Sequence, residues 1–116
     1  MKYLKILVVL SFAIFAGCYS TEKKPFVVAE SKSYEASIFR QNCAICHGPE
    51  GNGRTLGNGL NVPSLREGQF KAPTEAAIAN QITNGGNGMV PFRNILTQRE
   101  IDMMTEFVYR DLRGNR

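Results

Sequence analysis

The stretch that decides the fold is Cys43-Ala44-Ile45-Cys46-His47. Ser33 is a good N-cap, and the residues after it favour a helix that runs into this stretch. On such a helix, the two thiols and the imidazole occupy positions i, i+3 and i+4, so they project from one face. The pentapeptide therefore predicts a single site that combines three reactive side chains.

This arrangement suits a covalently bound haem c. Each thiol can bond to one vinyl group of the porphyrin, while the adjacent imidazole can reach the iron. A macrocycle wedged between helices would also add apolar contact to a small domain, which buries only about 60 to 65% of the surface of its unfolded chain. We therefore expect one haem c attached through Cys43 and Cys46, with His47 as an iron ligand.

Other uses of this segment are open but explain less. A structural zinc site takes four Cys or His ligands, whereas His47 is the only histidine and Cys18 the only further cysteine. A thiol redox pair is expected beside a βαβ pattern, which the sequence does not show. A plain disulfide between Cys43 and Cys46 is chemically possible in an exported protein, but it leaves the adjacent histidine unexplained.

The second iron ligand has to be sought among the methionines, because one histidine excludes bis-histidine ligation within the chain. Met103 and Met104 lie in a predicted helix, where methionine commonly fills the core. Met89 lies in the glycine-rich loop 84–92, which can bring a side chain close to a flat cofactor. Met89 is therefore the candidate ligand opposite His47; the alternative is a buried methionine that fills a gap.

Three helical signals, separated by loops rich in Gly, Asn and Pro, organise the chain. Besides the helix after Ser33, a second is predicted from Thr74 to Asn84, where Gly85 supplies the stop. Thr97–Glu100 has the form of a capping box and starts the third helix. Its apolar stripe comprises Ile101, Met104, Phe107 and Val108. No segment alternates convincingly between apolar and polar residues, so we expect an all-α domain.

The N-terminal residues have the layout of an export signal that ends at a lipidation site. Residues 1–17 contain two lysines and an apolar run too short for a membrane span, which needs about 20 residues. Small residues directly precede Cys18, which resembles the lipobox of bacterial lipoproteins and implies cleavage there and acylation of the thiol. An uncleaved anchor, or a free thiol at Cys18, remains open. Residues 18–30 are then a flexible tether, and residues 31–116 are the folded domain.

The charge gives no argument for nucleic-acid binding. The 14 Lys and Arg residues against 10 Asp and Glu give a formal charge of +4, which falls to +2 when residues 1–17 are removed. Two negatively charged haem propionates would about cancel this charge of +2. The pI of about 9.2 for the whole chain is therefore no argument for nucleic-acid binding. We expect a monomer that meets redox proteins transiently, through interfaces below about 1,200 Å².

The order of elements is similar to that of bacterial class I c-type cytochromes: a helix, Cys-x-x-Cys-His-Gly, a glycine-rich loop, a helix, Gly-Met-x-Pro-Phe and an amphipathic C-terminal helix. The resemblance covers nearly all of residues 31–112. It implies the cytochrome c fold, with three to four helices wrapped around one covalently attached haem. It also implies that Phe39 and Phe107 lie where the first and last helices cross. The Pro63 carbonyl is then expected to accept a hydrogen bond from the far nitrogen of His47.

The same resemblance implies an electron carrier rather than an enzyme. With a lipid on Cys18, the carrier would work at the periplasmic or another extracytoplasmic face of a membrane, in a respiratory-type chain. The haem subunit of an exported dehydrogenase or oxidase complex and a haem-based sensor of small ligands remain alternatives. The chain has no Trp to hold a haem propionate. Arg66, Arg93 and Asn94 could replace it, although residues of these types are more often ordinary solvated side chains.

Overall fold

The helices begin where the sequence has its caps. A computed structural model describes residues 24–115; the predicted signal segment and Cys18 lie outside them. Four helices are present in the described chain: α1 Tyr34–Asn42, α2 Ala44–His47, α3 Glu75–Asn84 and α4 Gln98–Glu106, which continues as a π-helical segment, Phe107–Leu112. The predicted all-α class and the three to four helices are confirmed. Within residues 24–115, no helix has the length and apolar character needed to cross a membrane.

Side chains cap each of the long helices. The hydroxyls of Ser33 and Thr74 accept hydrogen bonds from backbone N–H groups three residues further on, at 3.2 and 3.1 Å. Thr97 and Glu100 form both halves of the predicted capping box, at 2.8 and 3.3 Å. Helix α3 stops before Gly85, whose φ of 67° is disfavoured for other residues. The three helix starts and this stop agree with the prediction.

Helix α1 and the C-terminal helix cross through aromatic contacts. Phe39 and Phe107 are both buried, with ring centroids 5.9 Å apart, as the resemblance implied. Phe26 packs edge-on against Phe107, at 5.3 Å and 87°. Aromatic pairs of this kind add about 0.5–1.5 kcal/mol beyond the burial of their area. The predicted stripe of the last helix is buried at all four positions, Ile101, Met104, Phe107 and Val108.

One small sheet was not predicted. Strands β1 Arg54–Thr55 and β2 Asn61–Val62 pair antiparallel, with Arg54 opposite Val62 and Thr55 opposite Asn61. Two residues per strand are too few to produce an alternating pattern, so these strands leave no periodic signal in the sequence. The hairpin folds the glycine-rich segment after the Cys-x-x-Cys-His motif into a defined loop.

Part of the predicted tether, residues 26–29, packs on the folded domain. Val28 is fully buried in the core, and the backbone N–H groups of Val28 and Ala29 donate to the Glu50 carboxylate at 2.7 and 2.9 Å. Arg66 pairs with Glu50 at 3.2 Å and also donates to the Phe26 carbonyl at 2.9 Å. Apolar side chains from this segment enlarge the core of a small domain, so packing the segment on the domain stabilises it. The folded unit therefore begins near Phe26 rather than at residue 31.

Candidate haem site

The cysteine–histidine motif lies at a break between two helices. Helix α1 ends at Asn42, and the single turn of α2 is closed by hydrogen bonds from the Cys46 and His47 N–H groups to the Cys43 carbonyl, at 3.1 and 2.9 Å. Cys43 is half-buried and Cys46 exposed, and neither forms a disulfide. Both sulfur-bearing residues and His47 line the same cavity, so the three side chains expected on one face do converge.

The environment of Cys43 differs from that of a redox-active thiol. Burial, and secondarily the neighbouring Cys46, raises the pKa of the Cys43 thiol to about 12. Reactive cysteines in thiol redox pairs have lowered pKa values instead. The described residues also contain no group of three or more His, Cys, Asp or Glu side chains suited to a metal ion. The raised pKa of Cys43 weighs against the redox-pair alternative.

His47 is half-buried with one nitrogen unpartnered. Its Nδ1 atom is buried and has no hydrogen-bond partner among the described residues. Burial lowers the pKa of His47, while the nearby Pro63 carbonyl acts in the opposite direction. Pro63 is therefore close enough to influence the imidazole, although no hydrogen bond of ordinary geometry joins them. A neutral imidazole is the form that binds iron.

Met89 reaches the cavity from a tight turn. Gly86 and Met89 exchange two backbone hydrogen bonds, at 2.9 and 3.0 Å. Gly85 is required before this turn, because a Cβ atom there would lie 2.5 Å from the Met89 carbonyl oxygen. The Gln81 side chain donates to the Gly86 carbonyl at 2.9 Å and lies 3.8 Å from the Met89 sulfur. The turn thus holds a half-buried thioether at the wall of the cavity that His47 also lines.

The cavity itself is apolar and large enough for part of a flat ligand. Its volume is about 350 Å³. The wall includes Phe39, Val62, Leu65, Ile82, Phe92 and Val108. Met104 also reaches it, but this residue is 1% exposed and packed within the core, whereas Met103 lines a different groove. Two thiols, an imidazole and a thioether around one apolar cavity fit a covalently bound haem.

The three residues considered for the haem propionates lie away from the cavity. Arg66 pairs with Glu50, Arg93 donates to Asn84 Oδ1 at 3.3 Å, and neither they nor Asn94 line the cavity. The cations at its wall are Lys71 and Arg113. Sequence reasoning missed Arg113 because its partners are 41 and 48 residues away in the chain.

Gln81 was also missed, although the sequence did contain a signal for it. This polar residue lies three positions after Ile78 and one before Ile82, so it interrupts the apolar face of helix α3. A polar side chain on a core-facing stripe needs a partner there, and Gln81 finds it in the Met89 turn.

Known proteins are similar to this chain in sequence. Residues 35–108 match the family described as cytochrome c oxidase, cbb3-type, subunit III. Cytochrome c6 of Nostoc sp. (strain PCC 7120) is 35% identical over 109 residues, which cover 93% of this chain and 92% of that protein. Cytochrome c6 of Euglena gracilis is 32% identical over 79 residues, which cover 68% and 91%.

Two solved structures have the same fold. The KustC0563 c-type cytochrome aligns with a TM-score of 0.55 and 30% identity, over 69% of this chain and 94% of that one. Cytochrome c6C from Synechococcus sp. PCC 7002 aligns with a TM-score of 0.56 and 26% identity, over 71% and 98%. With the cavity and its cysteine–histidine motif, these matches show that the chain belongs to the cytochrome c family, whose members carry electrons on a haem c, held here through Cys43 and Cys46.

Proposed function

We propose that this protein is a membrane-tethered electron carrier of an extracytoplasmic respiratory-type chain, with His47 and Met89 as the two axial ligands of its haem iron. The observation that carries the proposal is that this imidazole and this thioether line one apolar cavity from separate parts of the chain. The thiols of Cys43 and Cys46 lie at the same cavity. No other described histidine competes for the site.

Bound haem c supplies reversible one-electron transfer, and the roles of the protein follow from its side chains. His47 offers a neutral nitrogen, and the Pro63 carbonyl is the group proposed to orient it through Nδ1. Met89 offers a thioether, which raises the reduction potential relative to a second imidazole. With both positions filled, no open site is left for a substrate, and the apolar wall excludes water.

The ligand assignment is tested by replacing Met89 with alanine. We expect Met89→Ala to lose the near-infrared band of Met-ligated ferric haem and to bind carbon monoxide promptly when reduced, because the sixth position opens. Met103→Ala is the matched control, since Met103 lies in a different groove. Retention of the band in Met89→Ala, or prompt binding of carbon monoxide by the unaltered protein at neutral pH, would remove Met89 from the ligand set. The second result would favour a ligand sensor.

A second candidate function has its own support. The family that residues 35–108 match is described as a subunit of a cbb3-type oxidase, which favours a haem subunit of a larger complex. The same redox chemistry would then serve a fixed partner instead of transient ones. Purification in mild detergent separates the two functions, because a subunit leaves the membrane together with its enzyme and a carrier leaves alone as a monomer.

The membrane tether is proposed to start at Cys18. Its support is the apolar run and the small residues before this cysteine. Because the folded unit begins near Phe26, about eight residues link it to Cys18, and their extended length is about 28 Å. The domain would therefore remain close to the membrane, which raises its effective concentration near membrane-bound partners. Stable anchoring needs more than one acyl chain.

Mass measurement and fractionation test the tether. We expect the membrane-extracted protein to carry acyl chains on Cys18 and to lack residues 1–17. Cys18→Ser should yield a protein that still carries haem but has no acyl chain. An unmodified Cys18 in protein that remains in the membrane would contradict the lipid anchor without affecting the haem assignment.

A further inference from the structure

One cation at the cavity lacks an anionic partner. Arg113 lies just after the π-helical segment that ends the last helix, and it is half-buried. Its Nε and Nη1 atoms donate to the carbonyls of Leu65 and Ala72 at 3.3 and 2.8 Å. The guanidinium also stacks on the Phe70 ring, 3.8 Å from its centroid. These contacts fix its position, but among residues 24–115 no carboxylate pairs with it.

Other arginines of the domain have different surroundings. Arg66 is paired with Glu50 at 3.2 Å, and Arg110 with Glu106 at 2.9 Å. Arg113 is instead held only by neutral carbonyls and a ring, and its burial lowers the pKa of the guanidinium. A guanidinium still keeps its charge at neutral pH. A partly desolvated cation with no counter-ion is a place where an added carboxylate gains free energy.

The charged side chains at the cavity wall are all basic. Arg113 and Lys71 are its formally charged side chains, and no Asp or Glu of the described chain is part of the wall. A haem brings two propionate carboxylates into a cavity that is otherwise apolar. The segment 69–72 carries Lys71 and supplies both the Phe70 ring and the Ala72 carbonyl that hold Arg113, so the two cations belong to one end of the cavity.

We propose that Arg113 binds a haem propionate, with Lys71 as a second cation at the same end of the cavity. The planar guanidinium has N–H groups beyond the two that its carbonyl partners use, so it can donate to a carboxylate without losing those contacts. The C-terminal end of the last helix would then orient the macrocycle from the side where the propionates lie, while Cys43 and Cys46 fix the vinyl side.

Two spectroscopic readouts test this role in the haem-loaded protein. Replacement of Arg113 by glutamine should shift the propionate bending band in the resonance Raman spectrum, because the carboxylate loses a charged donor. It should also lower the reduction potential, because loss of a nearby positive charge favours the ferric state. Arg113→Lys keeps the charge, so it should preserve the potential more closely while still shifting the band.

Arg110→Gln is the matched control, since Arg110 is exposed, lies near the same helix end and is paired with Glu106 and Glu75. It should leave the Raman band unchanged. An unshifted band in both Arg113 variants, with haem bound and helix content preserved, would overturn the proposal. If the variants do not fold, NMR of the unaltered ferric protein provides the test. We expect the Arg113 Nε–H resonance to show a paramagnetic shift caused by the nearby ferric haem. The absence of this shift would overturn the proposal.

Discussion

At the helix crossing, Phe39 and Phe107 are essentially fully buried and contact each other, whereas Ile45 and Val90 at the cavity are 73% and 59% exposed. Both regions carry apolar side chains, but those of the crossing pack against one another, whereas those of the cavity face the space that suits the haem. The crossing is built from capped helices, whereas the cavity wall combines helical residues such as Ile82 and Val108 with residues of glycine-rich loops. The difference indicates that one region folds on protein contacts and the other depends on its cofactor for part of its apolar contact.

Removal of the haem should produce the largest effect and should act unequally on the two regions. We expect the double variant Cys43→Ser, Cys46→Ser to lose covalent haem and at least about 3 kcal/mol of unfolding free energy, because the haem makes its apolar contacts with the protein only in the folded state. Amide hydrogen exchange should speed up most in loops 48–72 and 85–92 and least in α1 and α4. The unaltered chain made without haem attachment is the control. Equal loss of hydrogen-exchange protection in both regions would show that the helix crossing depends on the haem as much as the cavity loops do.

Phe107→Ala should damage the crossing directly. Its ring contacts both Phe26 and Phe39, so truncation leaves a cavity and should lower the unfolding free energy by about 3–5 kcal/mol. Chemical denaturation of the haem-loaded protein measures this loss. Ile95→Ala is the control, because Ile95 is 60% exposed and should change stability by less than about 0.5 kcal/mol. Similar losses in the two variants would show that the crossing is not a packed core.

Glu50→Gln should loosen the link between the N-terminal segment and the haem loop. The carboxylate accepts two backbone N–H groups and pairs with Arg66, so its neutralisation should cost about 1.5–3 kcal/mol. The Val28 amide should lose hydrogen-exchange protection while the Phe107 region keeps it. Glu30→Gln, at an exposed position, is the control. Unchanged protection of Val28 would mean that the segment is held by its apolar contacts alone.

The smallest effect concerns the exposed pair that joins α1 to α4. Tyr34 donates to Glu100 at 2.6 Å, and this bond, followed by those from Thr97, lowers the pKa of Glu100. A carboxyl whose pKa is lowered in the folded state contributes stability above its unfolded pKa and loses it as pH falls through the folded pKa. Tyr34→Phe should therefore reduce the acid-side drop in stability between neutral pH and the folded pKa of Glu100.

Denaturation midpoints measured from neutral to acidic pH check this expectation. The same bond raises the pKa of Tyr34, so its contribution is present below the unfolded pKa and is lost as pH rises through the folded value. A Tyr34→Phe variant with the same acid profile as the unaltered protein would show that the pair makes no net contribution.

The helices of the crossing could be predicted from the sequence because their signals are local. The Ser33 and Thr97 caps and the helical spacing of the last stripe lie within a few residues of the structure they specify. The motif at residues 43–47 likewise positions its own side chains within one turn. Phe39 and Phe107 are distant in sequence, and their contact was expected only from the family resemblance.

The rest depends on contacts between distant residues that carry no periodic pattern. Glu50 binds backbone N–H groups 21 and 22 residues earlier, so residues 26–29 gave the composition of a tether although they pack on the domain. Arg113 reaches carbonyls whose position is set by loop geometry. Polar side chains that bind distant backbone groups leave no mark on the residue-type pattern of a sequence.

The most direct test of the central claim is a mass measurement on the protein exported by a cell that matures c-type cytochromes. After proteolysis, the peptide that contains residues 43–47 should carry the added mass of one haem, bound through both sulfurs. A colourless protein whose Cys43 and Cys46 are both unmodified would contradict the account.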